Sequence, residues 1–403
     1  MSITNTAVRA GSPLQLPART RLLLGTDALT ALGLGLTQPY LLLLLTSAYG
    51  VSLAVASALA SVAAVVSLAG NPLGGILTDR IGGLRTMLGG LAAATLGLVL
   101  LGSGGTPSAA AIGIGLTGFG WSLVLPAFSA QLADGVPDRT RVFTWQYALF
   151  NAGLGSGAAV AGLVVVHPGH LDALPRLWFV AAALVTTALV LLGVKGRTPC
   201  SRIQGNKDSF LAAGGGGYRE AMRDRRLRRV LAVAAGMSAA GYGVYAVGPS
   251  VVALAAGDPG ALAWVSVANC ATVVLGLPLA LRVGGHLTPY ASIRWTAVTW
   301  AVAWTLCLGQ LAGLGPGVRV ALPAAAALVG AGELVLAAAL STLVNELAPD
   351  HLRGRYNAAL TVALTAGVWS GPALASVAAG LDRPWLLFAA ALAILATVWR
   401  GAR

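Results

Sequence analysis

Gly75-Ile76-Leu77-Thr78-Asp79-Arg80-Ile81-Gly82, with Arg85 close behind, is a short charged break between two apolar runs, 51–77 and 84–104. Each run is close to the ~20 residues a helix needs to cross hydrocarbon. Cutting the chain at similar polar breaks gives further runs near 22–46, 108–133, 142–166 and 175–194. After a hydrophilic stretch come 230–254, 260–283, 292–313, 319–346, 356–380 and 384–399. The expected fold is an all-α membrane protein with twelve transmembrane helices in two pseudo-symmetric six-helix bundles. The bundles occupy 1–195 and 229–403, and 196–228 is the linker.

Composition supports lipid as the solvent. Hydrophobic residues make up 57% of the chain and charged residues 10%, against roughly 25% charged in a soluble domain. Gly and Ala are too abundant, and turn signals too sparse, for a barrel of short alternating strands. The net charge of +13 does not indicate nucleic-acid binding, because the charges cluster in short segments between apolar runs, as topology signals do. Arginine supplies nearly all of it, which with the Ala and Gly content suggests a GC-rich bacterial genome. Cys200, Cys270 and Cys307 show no metal-ligand spacing. The polar N-terminus leads into an apolar run too long for a signal-peptide core, so a retained first helix is expected.

With the N-terminus in the cytoplasm, 23 of the 26 Lys and Arg fall on that side. Only Arg176, Arg319 and Arg383 oppose them. The positive-inside rule therefore predicts that both termini and the linker are cytoplasmic, in a bacterial inner membrane. The linker carries Gly214 to Gly217, a flexible tract, then the basic segment YREAMRDRRLRRV. That segment reads as a solvated topogenic linker or as a surface helix on anionic headgroups.

The halves repeat. Arg139 and Arg141 precede the fifth span as Arg353 and Arg355 precede the eleventh, 214 residues on. Gly157 and Gly371 keep that offset, and Pro39 and Pro249 sit at similar depth in spans one and seven. A six-plus-six repeat suits two bundles rocking about a midplane site.

The break at 75–85 resembles the signature loop of the major facilitator superfamily, Gly-x-Leu-x-Asp-Arg-x-Gly followed by basic residues. The family's basic pair after the second glycine is here Gly83-Leu84, with Arg85 displaced. The resemblance implies a conformational latch of Gly75, Asp79, Arg80, Gly82 and Arg85, with Asp79 facing the start of the eleventh helix near Arg353 and Arg355. Arg80 or Arg85 would reach Asp134. Ala348 to Tyr356 resembles the loop between spans ten and eleven of multidrug members, and Asn151 to Gly162 the glycine-rich fifth span of the antiporters. The drug:proton antiporter branch is the one the chain resembles most, although its fourth span lacks the basic residue many antiporters carry there.

Of 13 acidic residues, only Asp27 and Glu333 lie well inside the spans. Ionisable groups at such depth are costly and mark substrate or proton pathways. Asp27 follows Arg21 by six residues, roughly 9 Å deeper, and Glu333 lies midway along span ten. Both are candidates for proton coupling or substrate contact. Gln38, Tyr40, Trp121, Gln146, Asn151, Tyr242, Tyr245, Asn269 and Trp369 are the polar and aromatic candidates for a cavity, which the resemblance places among spans one, four, seven and ten. No catalytic constellation, Walker pattern, metal site or cofactor motif is present. The expectation is a non-enzymatic secondary transporter, a monomer that exports small amphipathic compounds by proton antiport. Its partners are the small-molecule substrate, protons and the lipid bilayer. A proton-coupled or facilitative nutrient importer and a transport-inactive membrane sensor are the alternatives.

Overall fold

The computed structural model describes residues 16–133, 139–165, 173–196, 220–283, 287–349 and 352–401. The first six helices are α1 (Ala18–Ala48), α2 (Leu53–Ile81), α3 (Gly83–Gly102), α4 (Pro107–Ala133), α5 (Arg139–Val165) and α6 (Leu174–Lys195). The next six are α7 (Arg225–Ala255), α8 (Ala263–Val283), α9 (Pro289–Leu311), α10 (Val318–Leu347), α11 (Arg353–Gly380) and α12 (Trp385–Gly401). Among the described residues, 10 of the helices are long and apolar enough to cross a membrane. The 23-residue α9 and the shorter apolar α12 complete the twelve expected from sequence. The protein is a multi-pass membrane protein.

Helix starts follow local chemistry. Ser52 caps α2 by accepting from Val55 N at 3.3 Å, and Thr288 caps α9 by accepting from Ala291 N at 3.2 Å. Asp224 caps α7, accepting from Arg226 N at 2.8 Å. Such caps satisfy backbone donors that the helix leaves open. The seventh helix therefore begins at Arg225 rather than near 230, and four arginines ride on its first turns. Residues 197–219 of the linker lie outside the described residues.

α1 and α7 are not uniform rods. α1 passes through a 3-10 turn at Gln38–Tyr40, where Pro39 removes a backbone donor, and then a π turn at Leu44–Ala48. α7 has a π turn at Ala239–Gly243. Between α2 and α3 the chain reverses at Gly82, whose φ of 93° disfavours any side chain.

Packing rests on small residues, as it does where lipid supplies no hydrophobic drive between helices. A Cβ added to Gly153 would come 2.5 Å from Ala28 O, and one on Gly157 would collide with Leu32 O, so α5 lies backbone-to-backbone on α1. The same holds 214 residues later: Gly367 meets Ala235 O at 2.5 Å and Gly371 meets Gly243, seating α11 on α7. The repeat read from sequence is thus a repeat of helix contacts. Between the first six helices and the last six, α5 packs on α8 and α2 on α11. Ser376 Oγ donates to Ala54 O at 2.9 Å, and Ser250 Oγ to Pro39 O at 3.2 Å. Both bonds lie at the end of the molecule away from the chain termini.

Candidate functional site

A cavity of about 470 Å³ opens between the two sets of helices. The short connections position its walls: α1 contributes Leu34 to Leu42, α4 Ile114 to Trp121, α7 Ser238 to Ser250 and α11 Leu364 to Pro372. α2 adds Ala60, Ala63 and Ser67, while α10 contributes no described lining residue. Spans two and eleven thus take part in a wall expected from spans one, four, seven and ten. Four of the sequence candidates line it: Gln38, Trp121, Tyr242 and Trp369.

Charge is missing from the wall. No Asp, Glu, Lys, Arg or His stands among the described lining residues. Six Ser and Thr hydroxyls face it, and each donates its proton to a backbone carbonyl. Thr37 binds Gly33 O, Ser67 Ala63 O and Thr117 Gly113 O. Ser238 binds Leu364 O, Ser250 Pro39 O and Thr365 Thr361 O. Gln38 is exposed to the cavity. The Trp121 Nε1–H is buried without a partner.

Neither carboxylate stands in the described cavity wall. Asp27 is half-buried on α1, and Gln146 of α5 donates from Nε2 to its Oδ2 at 2.8 Å. Arg21, expected nearby, is exposed at the end of the helix. Glu333 is half-buried on α10. The preceding Gly332 is pressed against α9, where an added Cβ would lie 2.5 Å from Trp300 Nε1, and Gly332 O accepts from Thr296 Oγ1 at 3.0 Å. The Asn269 side chain lies against Glu333. Tyr147, Tyr242, Tyr245 and Cys270 lie within its electrostatic reach.

Tyr242 therefore belongs to two places, the cavity wall and the surroundings of Glu333. Its ring meets Trp300 edge-on, with centroids 5.5 Å apart and planes at 71°. Trp300 in turn donates Nε1–H to Val329 O at 2.9 Å, one turn before Glu333 on α10.

The other cavity candidates have packing positions. Tyr40 is fully buried, with its hydroxyl donating to Ala158 O at 3.3 Å. Asn151 is buried and donates to Tyr147 O at 2.9 Å. Asn269 also donates to Ala326 O at 3.3 Å, tying α8 to α10. The Tyr245 side chain lies near Ser266 and is absent from the lining, like Gln146.

At the end bearing the termini, Gly75 lies within α2 and Gly82 forms the turn. Arg80 and Arg85 are exposed and Arg355 is half-buried. Asp134 and the side chains of Asp79 and Arg353 lie outside the described residues. Two polar ties there had no sequence signal. Arg19 of α1 bonds Gln131 of α4, and Tyr356 donates its hydroxyl to Asp224 Oδ2 at 3.1 Å, joining the starts of α11 and α7.

Comparison with known proteins agrees with this architecture. The family model described as Major Facilitator Superfamily matches residues 23–257. Uncharacterized MFS-type transporters named YhhS from Salmonella typhimurium and Escherichia coli are each 35% identical over 115 residues. That match covers 28% of this chain and 27% of each relative. Among solved structures, a peptide transporter, POT, has a TM-score of 0.75 at 17% identity, covering 97% of this chain and 95% of its own. The nucleoside transporter NupG has a TM-score of 0.75 at 14% identity, covering 94% and 98%. These likenesses establish the fold alone.

Proposed function

The chain belongs to the major facilitator superfamily, and on that premise we propose that it is a secondary transporter of the drug:proton antiporter type. In this reading it exports small amphipathic compounds in exchange for protons. The observation that carries the reading is a half-buried carboxylate, Glu333, within electrostatic reach of Tyr242, a wall residue of a central cavity between two helix sets. A carboxylate held at such depth suits proton exchange better than packing, since its burial is costly.

The bodies that rock are the first six helices, α1 to α6, and the last six, α7 to α12, with termini and linker in the cytoplasm. The Ser376–Ala54 and Ser250–Pro39 bonds then close the outer end, which corresponds to an inward-facing state. Asp79, Arg80 and Arg85 of the loop, with Asp134, Arg353 and Arg355, form the inner latch of the opposite state. The uncharged wall argues against a peptide ligand, whose two charged termini would find no countercharge among the described lining residues.

The test is flux in proteoliposomes under an imposed pH gradient. The reading requires substrate accumulation against its own gradient, abolished by a protonophore. Flux that only follows the substrate gradient would make the protein a facilitator.

A further inference from the structure

We propose that the cavity selects uncharged aromatic ligands bearing a hydrogen-bond acceptor, with Gln38 and Trp369 as specificity-determining donors, while the carboxylate Glu333 stands outside the wall. The inference rests on the transport reading above and narrows its substrate class.

Three observations carry it. First, the described wall holds no charged side chain, and a cation moved from water into such a site exchanges its hydration for a few hydroxyl and amide oxygens with no countercharge in the wall. Cation–π attraction to Tyr242, Trp121 and Trp369 is available, but it offsets only part of that loss. Second, the six Ser and Thr hydroxyls of the wall have their protons committed to backbone carbonyls. The donors left on the wall include the Gln38 amide, the Tyr242 hydroxyl and the Trp369 indole N–H. Indole donates only, and the buried Trp121 N–H beside them also has no acceptor. A ligand that complements these donors brings an acceptor, while the committed hydroxyls can only accept. Third, three aromatic side chains, Trp121, Tyr242 and Trp369, give stacking surface on α4, α7 and α11.

The experiment uses three ligands of one shape: 2-phenylquinoline, which is neutral with an acceptor nitrogen; 2-phenylnaphthalene, which lacks the acceptor; and N-methyl-2-phenylquinolinium, which is cationic. Binding is read by tryptophan fluorescence of the full chain in lipid nanodiscs, with empty nanodiscs subtracted. The quinoline should bind about tenfold tighter than the quinolinium and several-fold tighter than the naphthalene, one net hydrogen bond being worth about threefold to tenfold. Gln38→Leu with Trp369→Phe should bring the quinoline close to the naphthalene when both are measured on the same variant. Ala246→Asp, which places a carboxylate at an exposed cavity position, should turn preference toward the quinolinium. A wild-type preference for the quinolinium, or failure of all three to bind, overturns the inference. The same ligands in the flux assay separate the two readings. Export favouring the quinolinium sinks the inference and keeps the transporter, whereas selective binding with no flux keeps the inference and counts against transport.

Discussion

Gln146 and Asp27 stand 119 residues apart in sequence, yet the Gln146 amide donates to the Asp27 carboxylate at 2.8 Å across the α1–α5 contact. The glycines beside the pair make this reach possible. Gly153 and Gly157 let α5 lie against the α1 backbone, which brings a side chain of ordinary length to Asp27. A hydrogen bond to a charged group is worth about 1.5–3 kcal/mol.

Asp27→Asn separates charge from packing. Asparagine still offers an oxygen to Gln146, so folded yield should stay near wild type while uphill transport falls at least about tenfold. Yield is read by size-exclusion chromatography and transport in proteoliposomes. Undiminished uphill transport would reduce Asp27 to a packing group.

Glycine substitutions should divide by geometry. Gly157→Ala and Gly371→Ala push a methyl into a neighbouring backbone and should cost about 1–3 kcal/mol, as overpacking does. Gly89→Ala meets nothing within 4 Å and should stabilise α3 by up to about 1 kcal/mol. Thermal unfolding in detergent reads the difference. Equal shifts at all three positions would contradict the packing account.

Cys200 is a native reporter of orientation, because Cys270 and Cys307 are buried. A membrane-impermeant maleimide should label Cys200 only in inside-out vesicles. Labelling in intact cells would invert the proposed topology.

The twelve spans were legible because a run of about 20 apolar residues has few soluble explanations. Helix starts were less so. Arg225, Arg226, Arg228 and Arg229 lower local hydropathy and read as linker, yet Asp224 caps them into α7. The 214-residue repeat was legible at Gly157 and Gly371, and the contacts extend it to Gly153 and Gly367. The cavity was only partly visible. Gln38, Trp121, Tyr242 and Trp369 stood out by residue type, whereas Ala60, Ala63 and Val368 are ordinary membrane residues whose place depends on packing between distant spans. The groups within electrostatic reach of Glu333 come from α5, α7 and α8, which single-span patterns do not reveal.

An uncharged ligand exchanged for protons makes each cycle carry net charge. A membrane potential imposed without a pH gradient should therefore drive export of 2-phenylquinoline in proteoliposomes. Insensitivity to the potential would contradict either the neutral ligand or proton exchange.

Proton release on ligand binding tests the central claim most directly. Purified protein in weakly buffered solution receives 2-phenylquinoline while a pH dye is followed. Wild type should release protons in proportion to ligand bound, and Glu333→Gln should bind the ligand with little or no release. Release from Glu333→Gln equal to that of wild type would contradict the assignment of Glu333 as the coupling carboxylate.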